Sequence, residues 1–345
     1  MEAREDSVKG SLALTSRSPV LGLVGATGLV GSELISALDS SSLPLRALRL
    51  YASKDSVGEV YRFRSDELEV TEFSLVELDD VDVLVWASSG APPPNLEQEV
   101  IDRGKLLINL GSCIKGNLFF PDRTSVSHKG TITVPSTTSI ILRPLIRAFQ
   151  SIKPVKRVIV TTFEGAAGAG KDGLDELWSQ GLAIYNQKPI EVERFATQIA
   201  FNCIPQIHLL GEDGDTLEEQ RVMQELEQGG VLASVPVNVT SVRVPVFHGH
   251  GLSVTFVASD KDNTCQISNK EFKEGFERAI ASSSSNILYE LGGLPTHLSV
   301  VGTHEIHVAR VRVTKDAISL WAVADGLYVG AIDPVIEIIQ RAFPL

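Results

Sequence analysis

Along the first 135 residues, short apolar runs alternate with polar segments spaced for helices. Val20-Leu21-Gly22-Leu23-Val24 is an unbroken apolar run and predicts a buried strand. It enters the turn GATGLVG (Gly25 to Gly31), and the ELISALDS that follows puts Leu34, Ile35 and Leu38 on one side of a helix. Leu48-Arg49-Leu50-Tyr51 predicts a second strand and Asp82 to Ala87 a third. Ser88-Ser89-Gly90, a proline-led helix from Ala91 to Arg103, and a strand from Leu106 to Leu110 come next. Strands alternating with helices at this spacing predict an α/β fold with a parallel, doubly wound sheet, ending near Pro135.

The second half has longer, partly alternating runs: Val155 to Phe163, Val237 to Val246, Leu252 to Val257, His304 to Val313 and Ile318 to Val323. Helical spacing recurs at Gly173–Tyr185, Thr216–Glu227 and Asn269–Ala281. This predicts an α+β domain whose sheet is covered by helices or by a second subunit. Leu327 to Phe343 is apolar at helical spacing and is expected to pack back on the first domain. The divisions are a polar leader (1–19), an α/β domain (20–136), a second domain (137–325) and a C-terminal helix (326–345).

Composition adds exclusions. The 345 residues suit two domains of about 150 residues each. With 43% hydrophobic and 21% charged residues, disorder, collagen-like repeats and disulfide scaffolds are ruled out. Lys and Arg number 31 against 43 Asp and Glu, a net charge of −12, and no basic patch interrupts it. Such a surface repels nucleic-acid backbones and acidic lipid headgroups, so neither nucleic acid nor membrane is an expected partner. Cys113, Cys203 and Cys265 form no close pair or CxxC spacing, which fits a reducing compartment and no metal. No apolar run resembles a signal peptide or a membrane span, so the expected location is cytoplasmic. Ser282 to Ser285 reads as a solvated loop.

Gly25, Gly28 and Gly31, set between a strand and a helix, suit a tight turn, backbone approach to a pyrophosphate and close helix–strand contact. The acidic ribose ligand usual about 20 residues further on has no counterpart at Tyr51, Ala52 or Ser53. Ser53 and Lys54 suit a 2′-phosphate and Asp55 an unphosphorylated ribose, so NADP and NAD both stay open, beside the plainer reading of a charged surface turn.

From about Val20 onward the chain resembles the aspartate-semialdehyde dehydrogenases. The likeness is carried, in order, by GATGLVG, Thr162 to Gly170 (TFEGAAGAG), Phe201 to Pro205 (FNCIP), Gly214 to Gln220 (GDTLEEQ) and Val242 to His250 (VRVPVFHGH). The resemblance implies an NAD(P)-binding Rossmann-like domain, a catalytic and dimerisation domain, and a homodimer acting on a small molecule in amino-acid biosynthesis. In that family a cysteine thiol attacks the semialdehyde, hydride passes to NADP, and phosphate releases the acyl group. It also implies cofactor contacts at Gly25, Thr27, Gly28, Leu29, Val30, Ser53, Ser88 and Gly168. The substrate arginine falls on Arg243, the acid/base histidine on His250, the helix pair on Glu218 and Arg221, and the phosphate-site cation on Lys115. Glu218 and Arg221, three apart, share a helix face and can point into one cleft; the plainer readings are a surface ion pair there and a strand-edge salt bridge at Arg243.

At the chemistry-bearing positions the chain departs from the family. Thr137 stands where the resemblance puts the cysteine nucleophile, with Ser136 next best, and Glu164 stands in place of a glutamine. Val329-Gly330-Ala331 and Pro334 replace the lysine and asparagine near the nicotinamide. An alcohol is far less acidic than a thiol, and the Thr137 methyl crowds attack, so the acyl-enzyme route is not expected. Cys113 reads as a small buried side chain, and His248 and His250 alternate on a strand without completing a ligand set. These departures resemble the Usg-type paralogue branch. Three readings follow: a paralogue that is inactive or altered but still binds NAD(P); an NAD(P)-dependent oxidoreductase reducing a carbonyl directly with His250 as acid/base; and an interaction partner of a true dehydrogenase.

Overall fold

The computed structural model describes residues 18–111, 116–231, 235–259, 268–283, 286–314 and 316–344. The leader up to residue 17, Cys113, Lys115, Cys265 and Ser284–Ser285 lie outside the described residues.

The chain opens with β1 (Val20–Val24), α1 (Leu29–Ser40) and β2 (Ala47–Ala52), then the hairpin β3 (Val60–Phe63) and β4 (Asp66–Glu72). There follow β5 (Val83–Trp86), α2 (Leu96–Asp102), β6 (Leu106–Asn109), β7 (Asn117–Leu118) and β8 (Gly130–Thr133). Among the described residues these strands form one sheet in the order β3-β4-β2-β1-β5-β6-β8-β7, parallel throughout except for the β3–β4 pair. The expected doubly wound sheet is therefore present. The hairpin escaped the sequence reading because only Phe63 and Val70 are buried along it, leaving no apolar run. The proline-led helix starts later than expected, at Leu96, after Asn95 turns the chain with φ 66°. Pro92 to Pro94 lack the N–H groups that a helix interior needs.

The next element, α3 (Thr137–Gln150), went unrecognised because Pro144 interrupts its helical pattern. It turns the chain into β9 (Val155–Glu164), α4 (Gly170–Tyr185), α5 (Leu217–Gln228), β10 (Val237–Arg243) and β11 (His250–Ala258). Then come α6 (Asn269–Ala281), β12 (Ile287–Glu290), β13 (Ile306–Val313) and β14 (Ala317–Ala324). The second sheet has the order β10-β9-β11-β14-β13-β12 and mixes parallel and antiparallel pairs. Ile141, Leu145 and Phe149 of α3, Val222 and Leu226 of α5, and Phe272 and Phe276 of α6 bury one of its faces.

A π-type turn (Tyr328–Ile332) leads into α7 (Asp333–Ala342). Val335, Ile338 and Ile339 of α7 enter the core of the first sheet beside Leu34 and Leu38 of α1. The turn bridges the two cores, with Val329 in that of the second sheet and Ile332 in that of the first, and the carboxyl ends of β1, β2 and β5 line one cleft with the head of α3 and the end of β9.

Candidate active site

The glycine turn divides its labour. Gly25 has φ +86°, and its N–H donates to the Tyr51 carbonyl at 2.8 Å. A Cβ at Gly31 would lie 2.1 Å from the Gly25 carbonyl oxygen, so α1 can approach β1 only with glycine there. A Cβ at Gly28 would meet only that same oxygen at 3.4 Å, which leaves its outer side open to the cleft. Gly28 is the N-cap of α1 and offers no capping side chain, and the first turn holds no acidic residue. The first-turn amides of Leu29 and Val30 therefore present donors and the positive helix end to an anion. These residues fit the pyrophosphate of a dinucleotide.

The cleft is about 1200 Å³, and its lining includes Gly25, Thr27, Gly28, Leu29, Val30, Ser53, Ser88 and Gly168. Thr137, Glu164, Glu218, Arg221, Arg243 and His250 line the same cleft. All of these were singled out from the sequence; Lys54, Asp55, Val329 and Pro334 do not line the cleft, and Lys115 and Cys113 lie outside the described residues.

At the head of α3 three hydroxyls have three different partners. Ser136 is the N-cap: its backbone N–H and its hydroxyl both donate to Glu225 Oε2, at 2.9 and 2.6 Å. Thr137 Oγ1 donates to the Gly326 carbonyl at 3.4 Å and fills the space a Cβ at Gly330 would take, only 2.0 Å away. Thr138 Oγ1, fully buried, sits 2.8 Å from His250 Nε2. The imidazole is thus paired with Thr138 and not with Thr137. Burial, then Arg243 and His297, pushes its pKa down to about 3 and keeps the ring neutral.

Strand register explains why the charged groups meet. Glu164, at the end of β9, is the register partner of Arg243 on β10 and of His250 on β11. Glu164 Oε1 accepts from Thr162 Oγ1 at 2.8 Å, while Oε2 stands 3.9 Å from both Arg243 Nη1 and His250 Nδ1. Burial raises the Glu164 pKa against the opposing pull of Arg243. Arg243 Nη1 donates to the Gly165 carbonyl at 2.6 Å, and its guanidinium lies against Gly168, where a Cβ would come within 2.5 Å. Glu218 is also pushed up, to about 7, by burial and then by the charge of Glu164; His208 Nε2 lies 3.7 Å from it.

Arg221 pairs with Glu225, Nε to Oε1 at 2.7 Å, and not with Glu218. Glu225 therefore links Arg221 of α5 to the N-terminus of α3. The sequence reading missed it, although its place four residues after Arg221, on the same helix face, was the available signal.

Other expectations need correction. β10 stops at Arg243, so His248 lies off the strand in the connection to β11 and the expected alternation with His250 is absent. Both histidines still reach the cleft. Val329 belongs to the core of the second sheet, and Pro334 is buried in the first turn of α7; of that region Gly326, Leu327, Gly330 and Ala331 line the cleft. Cys203 is exposed and free. Among the described residues no group of three or more His, Cys, Asp or Glu is placed to hold a metal ion, and no helix is long and apolar enough to cross a membrane.

Comparison with known proteins shows which family the chain resembles. Residues 20–117 match the family model for the semialdehyde dehydrogenase NAD binding domain, and residues 142–329 that for the semialdehyde dehydrogenase dimerisation domain. The aspartate-semialdehyde dehydrogenase of Bacillus subtilis is 29% identical over 326 residues, which is 90% of this chain and 93% of that one. The Legionella pneumophila enzyme is 28% identical, over 96% of this chain and 98% of its own. A crystal structure of aspartate semialdehyde dehydrogenase II from Vibrio cholerae, complexed with ASA, superposes with a TM-score of 0.81 at 28% identity, covering 94% and 98% of the two chains. With both domains matched and the likeness running nearly end to end, the chain belongs to the semialdehyde dehydrogenase family.

Proposed function

We propose that this chain is a family paralogue, of the Usg type, that binds NAD(P) and a small polar ligand but forms no acyl-enzyme. The observation that carries the reading is the head of α3: Thr137 donates to the Gly326 carbonyl, and Thr138 occupies His250 Nε2, where acyl transfer needs a thiol facing a free base. An aliphatic hydroxyl needs strong activation. A neutral histidine already bonded to another hydroxyl does not supply it to Thr137, and buried Glu164 adds no stabilisation for an oxyanion.

A bound NAD(P) supplies hydride-transfer chemistry. Gly28 and the amides of Leu29 and Val30 would hold its pyrophosphate, while Gly330 and Ala331 would border its far end. Arg243 would orient a ligand carboxylate, and Arg221, fixed by Glu225, a second polar group. A homodimer accords with the dimerisation-domain match; Trp178, Leu182 and Tyr185 of α4 stay exposed in the single chain. The alternative of direct carbonyl reduction is favoured by one observation: the Glu164 carboxyl, its pKa raised by burial, stands 3.9 Å from His250 at the cleft wall, two titratable groups side by side.

The test is turnover of aspartate semialdehyde with phosphate and NAD or NADP by the unmodified protein and by Thr137→Cys. No turnover by the former is expected. Phosphate-dependent reduction of the cofactor by the unmodified protein would overturn the reading.

A further inference from the structure

We propose that Glu72, at the end of β4, is the adenosine-ribose ligand of the cleft and makes it select NAD over NADP. The inference rests on the dinucleotide reading above and deepens it.

In a doubly wound sheet the adenosine ribose lies beyond the carboxyl end of the second strand. Here that strand is β2, and it ends at Ala52 and Ser53 with no carboxylate. Its outer neighbour β4 runs parallel to it in the register Leu50↔Val70, Tyr51↔Thr71, Ala52↔Glu72. Glu72 therefore stands level with Ala52 at the same edge, and Ala52, Ser53, Glu72 and Phe73 all line the cleft. The carboxylate missing from β2 is supplied by the adjacent strand. Phe73, set edge-to-face against Tyr51 at 5.4 Å and Trp86 at 5.9 Å, gives this end an apolar wall suited to an aromatic base.

A carboxylate accepts hydrogen bonds from the two hydroxyls of an unmodified ribose. It repels a 2′-phosphate, which is close to doubly charged at neutral pH. The cation that such a phosphate would recruit is Lys54, whose Nζ already lies 3.9 Å from Glu72 Oε1. Asp55 follows directly and adds further negative charge to the turn. The Thr27 hydroxyl, donating to Ser56 Oγ at 3.2 Å, ties the turn to the glycine loop and so fixes where these charges stand.

The test is calorimetric titration of the full chain with NAD and with NADP, repeated on Glu72→Gln and on Glu72→Gln/Lys54→Ala. The Glu72 side chain is 57% exposed, so the core is untouched by its replacement. NAD is expected to bind roughly tenfold tighter or more to the unmodified protein. Glu72→Gln should weaken NAD, strengthen NADP and bring the two within about threefold, and removing Lys54 as well should abolish the NADP gain. Tighter binding of NADP by the unmodified protein, or an unchanged ratio in Glu72→Gln, overturns the assignment and leaves the dinucleotide reading standing. Binding of neither dinucleotide overturns both.

Discussion

Glu218 offers a quantitative check on the electrostatics of the cleft. It sits in α5, buried, facing Glu164, Arg221, His208 and Glu225, and its carboxyl is carried from 4.5 to about 7 by burial first and Glu164 second. Below about pH 4.5 the folded and unfolded chains both hold this proton, so the group costs nothing. Between 4.5 and about 7 the unfolded chain releases it while the folded chain keeps it, and stability falls as pH rises. The accumulated loss is about 3 kcal/mol at pH 8. Glu218→Gln keeps the shape and cannot ionise. Its advantage over the unmodified protein should be small at pH 4.5, grow to about 3 kcal/mol by pH 8 and then level off, a gap of roughly 5 °C in Tm for a chain of this size. Thermal unfolding of both proteins, recorded in parallel from pH 4.5 to 8.5, reads the gap directly. A gap that stays constant with pH would show that Glu218 ionises normally, and the description of a buried carboxylate pair would be wrong.

Further outcomes are expected. Gly31→Ala, with its Cβ 2.1 Å from a backbone oxygen, should cost about 3 kcal/mol or more and yield little folded protein, whereas Gly28→Ala should fold normally and lose dinucleotide affinity. Denaturation curves and calorimetry separate the two, and equal stability of the pair would refute the division of labour. Thr138→Val leaves the buried Nε2 of His250 without its partner and should cost about 1–3 kcal/mol. Urea unfolding measures it, and a variant as stable as the parent would mean that the hydrogen bond is not made.

The first sheet was legible because its central strands are continuous apolar runs flanked by a glycine turn. Its outer hairpin was not, since a strand with one buried residue carries no periodic signal. Helix α3 was hidden by Pro144, and with it went the local geometry that decides the chemistry: the sequence aligns Thr137 with a nucleophile, but only the fold reveals that Thr138 is the hydroxyl on His250. The family resemblance brought out Glu218 and Arg221, but their spacing does not say which carboxylate Arg221 meets, because both Glu218 and Glu225 lie within helical reach. Glu72 was invisible for a related reason. A search along β2 finds Ser53 to Asp55, while the carboxylate level with Ala52 arrives on a strand 20 residues later that only the sheet order makes a neighbour.

The proposal that no acyl-enzyme forms is tested most directly by intact-protein mass spectrometry. The unmodified chain would be incubated with aspartate semialdehyde and oxidised cofactor, without phosphate, so that any intermediate accumulates. The unmodified mass should persist, with nothing attached at Thr137 or Thr138. A stoichiometric adduct that phosphate then removes would contradict the account at its centre.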